Sequence, residues 1–122
     1  MSDPKPGWTI GQYRAPNGET PILTFLAGLE GKNKREAIAL LQLLRERGNT
    51  LRPPHSKMVE TGLFELRGHQ VRIFYIFRPG RRVVLLDGII KKQDEIPVRD
   101  LQRVRAMRQA VEVAERKASG EP

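Results

Sequence analysis

Apolar residues recur at helical spacing in three segments of the chain, and typical boundary residues flank the segments. The first helix begins at Thr20-Pro21, where Thr20 is the predicted N-cap, and it ends at Gly31. A second helix is predicted over Asn33–Arg47 and a third over Val98–Ala118. The apolar faces of these helices consist of Ile22, Phe25, Leu26 and Leu29; Ala37, Leu40, Leu41 and Leu44; and Leu101, Val104, Met107, Val111 and Ala114.

Alternation of side chains with a period of two predicts strands elsewhere. A short strand opens the chain, and three further strands follow one another after the second helix. Pro53-Pro54 prevents a helix in the segment Asn49–Thr61, which we interpret as a loop. Turns are predicted at Gly68-His69-Gln70 and at Pro79-Gly80. The predicted strands are Trp8–Arg14, Leu63–Arg67, Val71–Arg78 and Arg82–Ile90.

The element order β-α-α-β-β-β-α predicts one α+β domain over residues 1–122, with a small antiparallel meander sheet packed on helices along one side. A two-residue turn after the first meander strand places Arg67 opposite Arg72 and Glu65 opposite Phe74. A two-residue turn at Pro79-Gly80 places Arg72 opposite Asp87. One face of this sheet is nearly all apolar, whereas the other mixes apolar and charged side chains.

The charges on the mixed face have two explanations that the sequence leaves open. Glu65 with Arg67, and Arg72 with Asp87, form two ion pairs on a solvated face in the first explanation. In the second, an anion sits between the two arginines, which repel each other in the free protein. Exposed ion pairs contribute only about 0–1 kcal/mol, so stability alone is a weak reason for such a cluster.

The overall charge favours a polyanionic partner. Lysine and arginine number 22 against 14 acidic residues, a net charge of +8 with a pI near 10.4, and a domain this basic suggests nucleic acid first. Cysteine is absent, which excludes disulfides, thiolate metal sites and cysteine nucleophiles. No apolar run approaches the roughly 20 residues of a membrane span. Residues 1–8 contain no apolar signal region, and we therefore expect a cytoplasmic protein.

An ordered set of short segments resembles a known family. Gly62-Leu63-Phe64-Glu65-Leu66-Arg67 is followed by Val71-Arg72-Ile73-Phe74-Tyr75, and then by Val84-Leu85-Leu86-Asp87-Gly88-Ile89-Ile90-Lys91-Lys92-Gln93 with Pro97. Together they resemble the phage-derived HigB-like branch of the RelE/ParE toxin superfamily, over about residues 8 to 110.

This resemblance implies a compact α+β toxin of a type II toxin–antitoxin pair. The activity it implies is ribosome-dependent endonucleolytic cleavage of mRNA by 2′-hydroxyl attack, with no metal and no cofactor. The implied partners are a helix-turn-helix antitoxin, in a toxin–antitoxin hetero-oligomer, and the ribosome with its mRNA. Two alternatives remain: a ParE-like toxin that poisons gyrase, and a non-enzymatic, basic, nucleic-acid-binding protein of phage origin.

The resemblance also points to candidate catalytic residues. Arg72 matches an arginine on the central strand of RelE-type toxins, Arg67 matches a basic position on the preceding strand, and Lys91 and Lys92 match basic residues after the last strand. Cleavage by the 2′-hydroxyl needs a proton acceptor, a group that stabilises charge on the phosphate, and a proton donor. Arginine suits the phosphate because its planar fork can hold two oxygens. We assign that role to Arg67 and Arg72.

The general base has several candidates, because RelE-type toxins often place a functional Tyr or His after the last strand and none follows Tyr75 here. Glu65 lies on the same predicted face as the arginines, and Lys91 or Lys92 with a depressed pKa is an alternative. His55 and His69 are the only imidazoles. The candidates for RNA binding are Lys92, Lys57, His55 and, as a stacking residue, Phe74; Tyr75 is assigned to the core.

Overall fold

The computed structural model describes residues 7–120 and has the predicted α+β architecture. A five-stranded sheet has the order β1-β5-β4-β3-β2, in which β2 to β5 are antiparallel and β1 runs parallel to β5. In the described part of the chain, no helix is long and apolar enough to cross a membrane. The strands are β1 (Thr9–Gln12), β2 (Ser56–Glu60), β3 (Leu63–Arg67), β4 (Val71–Arg78) and β5 (Arg82–Ile90), and the helices are α1 (Pro21–Ala27), α2 (Gly31–Arg47) and α3 (Val98–Ala118).

The bounds of β3, β4, β5 and α3 are those that the sequence predicts. Four predictions differ: β1 is shorter than Trp8–Arg14, α1 ends at Ala27 rather than at Gly31, α2 begins at Gly31 rather than Asn33, and the predicted loop Asn49–Thr61 contains β2. The strand β2 lies at the sheet edge and leaves Lys57 and Met58 exposed. Its sequence therefore lacks the alternation of apolar and polar side chains that would predict a strand. The N-terminal prediction extends over residues 1–6, which lie outside the described part.

Helices cover both faces of the sheet, so the prediction of helices on one side is wrong. One core packs α1 and α2 against side chains such as Leu66, Ile73 and Tyr75. A second core packs α3, through Val104 and Met107, against the opposite face. The sheet residues of this second core are Leu63, Phe74, Ile76, Val84 and Leu86. The mixed face is therefore a second buried face for much of its length.

The register of the first hairpin is confirmed, and that of the second is wrong. Arg67 pairs with Arg72 and Glu65 with Phe74 across β3 and β4, as expected. Between β4 and β5, however, Arg72 lies opposite Ile89, and Asp87 lies opposite Phe74. Two extra residues cause this shift: Arg81 enlarges the turn, with a left-handed φ of 56°, and a bulge in β5 interrupts the pairing beside Phe74 and Tyr75. Asp87 is consequently too far along the sheet to pair with Arg72.

Candidate functional site

A cleft of about 320 Å³ opens at the end of the sheet where β3 ends and β4 begins. Its floor includes Glu65 of β3 and Arg72 of β4. Its walls come from the end of β5 and from the segment that leads into α3, residues 91–100. The central strands thus supply charged side chains, and the connection after β5 encloses them.

The turn between β3 and β4 is tied to its surroundings by hydrogen bonds. The backbone N–H of His69 donates to Glu36 Oε1 of α2 at 2.7 Å, and the N–H of Lys91 donates to the carbonyl of Gln70 at 2.6 Å. Within the turn, the N–H of Gly68 donates to the carbonyl of Val71 at 2.9 Å. These bonds fix the ends of three strands relative to one another at the cleft.

Glu65 lies between the two candidate arginines. Its Oε1 is 3.4 Å from Nε of Arg67 and 4.0 Å from Nε of Arg72. The carboxylate is only 4% exposed, and Arg72 is 6% exposed. The two arginines therefore lie on one face of the sheet, as their register predicts, and they converge on a buried carboxylate.

Two polar atoms of this group have no hydrogen-bond partner among the described residues. They are Oε2 of Glu65 and Nε of Arg67, and both are buried. An unsatisfied buried polar atom costs about 1–3 kcal/mol, so native proteins rarely retain one without a reason. An acceptor and a donor side by side, neither with a hydrogen-bond partner in the described chain, are what a bound polar ligand would satisfy.

The protonation of Glu65 reflects its burial. Burial raises the pKa of the Glu65 carboxyl above its ordinary value, because a buried charge loses its hydration. Arg72, Arg67, Lys57 and Lys91 oppose this rise through their positive charges but do not cancel it. We call these four side chains the basic cluster. Glu65 is accordingly a carboxyl group shifted toward the pH range in which a general base works best.

Backbone carbonyls hold Arg72 in place through only some of its N–H donors. Its Nη1 donates to the carbonyl of Gly68 at 2.7 Å and to the carbonyl of Val71 at 2.9 Å. A guanidinium carries five N–H donors, and these two bonds use only those of Nη1. Because Arg72 lines the cleft, its remaining N–H donors suit an anion such as a phosphate.

The structure brings most of the other predicted residues to the same end of the sheet. Lys57 of β2 lies opposite Glu65. Lys91 and Lys92 line the cleft, and Lys91 Nζ is 3.5 Å from Oδ1 of Asp94. His55 is exposed, and its backbone carbonyl accepts the N–H of Arg67 at 2.9 Å. His55 therefore lies beside the site.

The assignment of Phe74 to RNA stacking is wrong, because the side chain is 0% exposed. It packs beneath α3 in the second core, next to Leu63 and Ile76. The assignment of Tyr75 to the core is confirmed: it is buried, and its hydroxyl shares a 2.7 Å hydrogen bond with Ser56 Oγ. The predicted ion pair between Arg72 and Asp87 is also absent, because Asp87 binds Arg103 of α3 at 3.0 Å.

The wall formed by residues 93–100 is not predicted by the sequence. Asp100 lines the cleft, and its Oδ1 accepts a hydrogen bond from Nη1 of Arg103 at 2.6 Å. The only local signal is an acidic residue in the first turn of a helix that begins just after Pro97, and helix capping accounts for that pattern equally well. Within residues 7–120, no group of three or more acidic or histidine side chains is arranged to hold a metal ion.

A comparison with protein-family models decides the ancestry of the chain. Residues 24–109 match the model described as phage-derived protein Gp49-like (DUF891). The chain belongs to the Gp49-like family. This is a family of RelE-like toxins, so the resemblance to the RelE/ParE superfamily is confirmed. The match extends from α1 into α3 and includes every residue of the basic cluster.

Two further comparisons add little to this assignment. The toxin–antitoxin complex RelBE2 from Mycobacterium tuberculosis contains a chain that is similar to this one in structure, with a TM-score of 0.46 and 16% sequence identity. The alignment covers 75% of this chain and all of that chain. A search of curated proteins found no match.

Proposed function

We propose that this Gp49-like protein, as the toxin of a type II toxin–antitoxin pair, is an endoribonuclease that cleaves mRNA on the ribosome. One observation carries the proposal. Glu65 lines the floor of the cleft, lies among four cations and has a buried oxygen without a hydrogen-bond partner in the described chain; Nε of the neighbouring Arg67 also lacks one. A phosphodiester with its 2′-hydroxyl would satisfy both atoms.

The chemistry can be assigned to named groups. Glu65 takes the proton of the 2′-hydroxyl as its oxygen attacks phosphorus. Arg72 and Arg67 stabilise the negative charge that builds on the phosphate oxygens. As the bond from phosphorus to the 5′ oxygen breaks, Lys91 donates a proton to that oxygen. The products are a 2′,3′-cyclic phosphate and a 5′-hydroxyl, and water returns the proton from Glu65 to Lys91.

The remaining basic residues have a place in this proposal. Lys57, Lys92 and His55 flank the cleft and would contact neighbouring phosphates of the RNA or the ribosome. A polyanionic substrate would explain the net charge of +8. The natural inhibitor would be a helix-turn-helix antitoxin that covers the cleft in a hetero-oligomer, and we expect both proteins in the cytoplasm.

The proposal is tested by inducing the protein in cells and mapping the 5′ ends of transcripts. We expect growth arrest with new 5′-hydroxyl ends inside coding regions. The Arg72→Ala variant should abolish both, since loss of one charge-stabilising donor costs about 10²–10³-fold in rate. Because Arg72 is buried, Arg72→Lys is the second variant: it keeps the charge but loses the planar fork.

The matched control is Arg78→Ala, at the other end of the same strand, which should remain toxic. Retained toxicity in both Arg72 variants would refute the site. Arrest accompanied by DNA breaks and intact transcripts would favour a gyrase poison, and no arrest on induction would favour a non-enzymatic nucleic-acid-binding protein.

A further inference from the structure

The cleft extends beyond the groups that a phosphodiester needs. Glu65 and Arg72 occupy its floor, whereas the rest of its lining comes from the end of β5 and the segment that follows it. Its volume of about 320 Å³ is at the lower end of the range for small-molecule sites, which begins near 300 Å³. A space of this size accommodates a mononucleotide, so a base can enter together with its phosphate.

The far wall combines apolar surface with one half-buried carboxylate, Asp100, and two exposed ones, Asp94 and Glu95. Ile89, Ile96 and Pro97 line this part of the cleft, and Asp100 lines it as well. Apolar side chains suit the faces of a nucleobase, and a fixed acceptor suits its edge. The wall therefore has the two features that recognition of an unstacked base requires.

Asp100 is held in place by a chain of hydrogen bonds to the sheet. Nη1 of Arg103 binds Asp100 Oδ1 at 2.6 Å, and Nε of the same arginine binds Asp87 Oδ2 at 3.0 Å. Asp87 Oδ1 in turn accepts the backbone N–H of Gly88 at 2.8 Å. Both oxygens of Asp87 are thus engaged, whereas Arg103 binds only one oxygen of Asp100. The carboxylate of Asp100 is a rigid acceptor, and its side chain remains 18% exposed.

A carboxylate discriminates among bases because it only accepts hydrogen bonds. Guanine presents two adjacent donors, N1–H and the N2 amino group. Adenine and cytosine each present an amino donor beside a ring-nitrogen acceptor, and uracil presents N3–H between two carbonyl oxygens. Any base other than guanine therefore brings at least one acceptor toward the carboxylate, which is repulsive.

We propose that Asp100 and the apolar wall form a base-binding subsite that selects guanine in the bound RNA. This inference rests on the proposed function, because it assumes that a phosphate occupies the floor of the cleft. Arg103 is a positioning residue in this arrangement, since it orients Asp100 and itself binds no RNA there.

The test is an NMR titration of the purified full-length protein with the 5′-monophosphates of the four ribonucleosides and with inorganic phosphate. We expect guanosine monophosphate to bind roughly tenfold more tightly than the others, as a bidentate base contact typically provides. Asp100→Asn should move the preference to adenine and cytosine, because an amide presents one donor and one acceptor. A merely structural role for Asp100 would not produce that exchange.

The control variant is Glu60→Gln, which removes an acidic partner of another α3 arginine, Arg105, outside the cleft. It should leave the order of affinities unchanged. Arg72→Lys should weaken all four nucleotides and inorganic phosphate by a similar factor. A shift in preference upon Asp100→Asn, with this uniform weakening by Arg72→Lys, supports both the subsite and the phosphate site.

The possible failures separate the two proposals. Equal binding of the four nucleotides overturns the guanine subsite and leaves the phosphate site standing. A guanine preference that Asp100→Asn does not alter also overturns the subsite. If Arg72→Lys binds phosphate as well as the wild type, the phosphate site is overturned, and absence of binding by every nucleotide overturns both.

Discussion

The two ends of β4 carry the same set of charges with opposite consequences. At the cleft, Arg67 and Arg72 face each other across β3 and β4, with Glu65 between them. At the other end, Arg78 and Arg82 face each other across β4 and β5, and Glu115 of α3 binds both. Each end thus has a cross-strand pair of arginines around one glutamate, and at the α3 end Arg78 also lies 3.8 Å from Glu112.

Hydrogen bonding and burial distinguish the two groups. Glu115 accepts hydrogen bonds from Arg78 at 2.8 Å and from Arg82 at 3.0 Å, and its side chain is 26% exposed. The hydrogen bond from Arg82 is the main reason that its pKa is lowered, and the bond from Arg78 adds to it. Glu65 is buried, makes longer contacts and has a raised pKa.

The comparison separates structural ion pairs from a site that can bind a ligand. In the group at Glu115, each arginine and each carboxylate oxygen has a direct hydrogen-bond partner within the group. The group at Glu65 contains an acceptor and a donor without hydrogen-bond partners in the described chain, and Glu65 and Arg72 of this group line a cleft. Residue type and spacing alone do not distinguish the two groups.

The largest difference between the two ends of β4 is expected in the rate of RNA cleavage. Glu65→Gln removes the proposed general base and should lower the rate of cleavage by about 10²–10⁴-fold. Glu115→Gln removes the equivalent charge at the other end and should leave the rate unchanged. The measurement is ribosome-dependent cleavage of a defined mRNA by both purified variants. Equal rates for Glu65→Gln and the wild type would remove Glu65 from the mechanism.

The pH dependence of stability should have opposite signs at the two ends. Burial raises the folded-state pKa of Glu65, so its stabilising contribution is complete below the unfolded pKa and is lost as pH rises through the folded pKa. The pKa of Glu115 is lowered, so its contribution is present above the unfolded pKa and is lost as pH falls through the folded pKa.

Urea unfolding between about pH 4 and about pH 7 tests this contrast. As pH rises, the wild type should lose stability relative to Glu65→Gln and gain stability relative to Glu115→Gln. The two single variants serve as controls for each other. The same direction of change in both would mean that burial does not set the pKa of Glu65.

The smallest effect is expected for Arg82, at the exposed side of the Glu115 group. Arg82→Ala should cost about 0–1 kcal/mol in the free energy of unfolding, since an exposed ion pair is weak. Salt should reduce that cost further by screening the pair. Denaturation at about 0.05 M and about 1 M NaCl measures both effects. A cost that salt does not reduce would show that Arg82 acts through packing.

Much of the candidate site could be predicted because it depends on local pattern. The turn after Arg67 fixes the register of one hairpin, and that register places Arg67 opposite Arg72 and puts Glu65 on the same face. The register predicted for the second hairpin was wrong because Arg81 and the bulge in β5 each add a residue. Together they shift the register by two residues at Asp87, so Asp87 lies opposite Phe74 rather than Arg72.

Phe74 and β2 show a different limit. An aromatic residue beside charged neighbours on a strand can face solvent or a helix, and only the position of α3 decides that Phe74 is buried. The strand β2 exists because β3 offers it backbone partners; only Ser56 of its side chains is buried, so the segment lacks a strand pattern. Both outcomes depend on contacts between distant parts of the chain.

The sequence by itself determined the helices, the three meander strands, the ancestry and the pair of arginines, because periodicity, turn residues and segment order are local properties. The tertiary structure decided which charges are buried, which remain without partners and which segments enclose a cleft. Burial and hydrogen bonding are properties of the assembled fold, and they alone make the glutamate at one end of β4 different from the glutamate at the other.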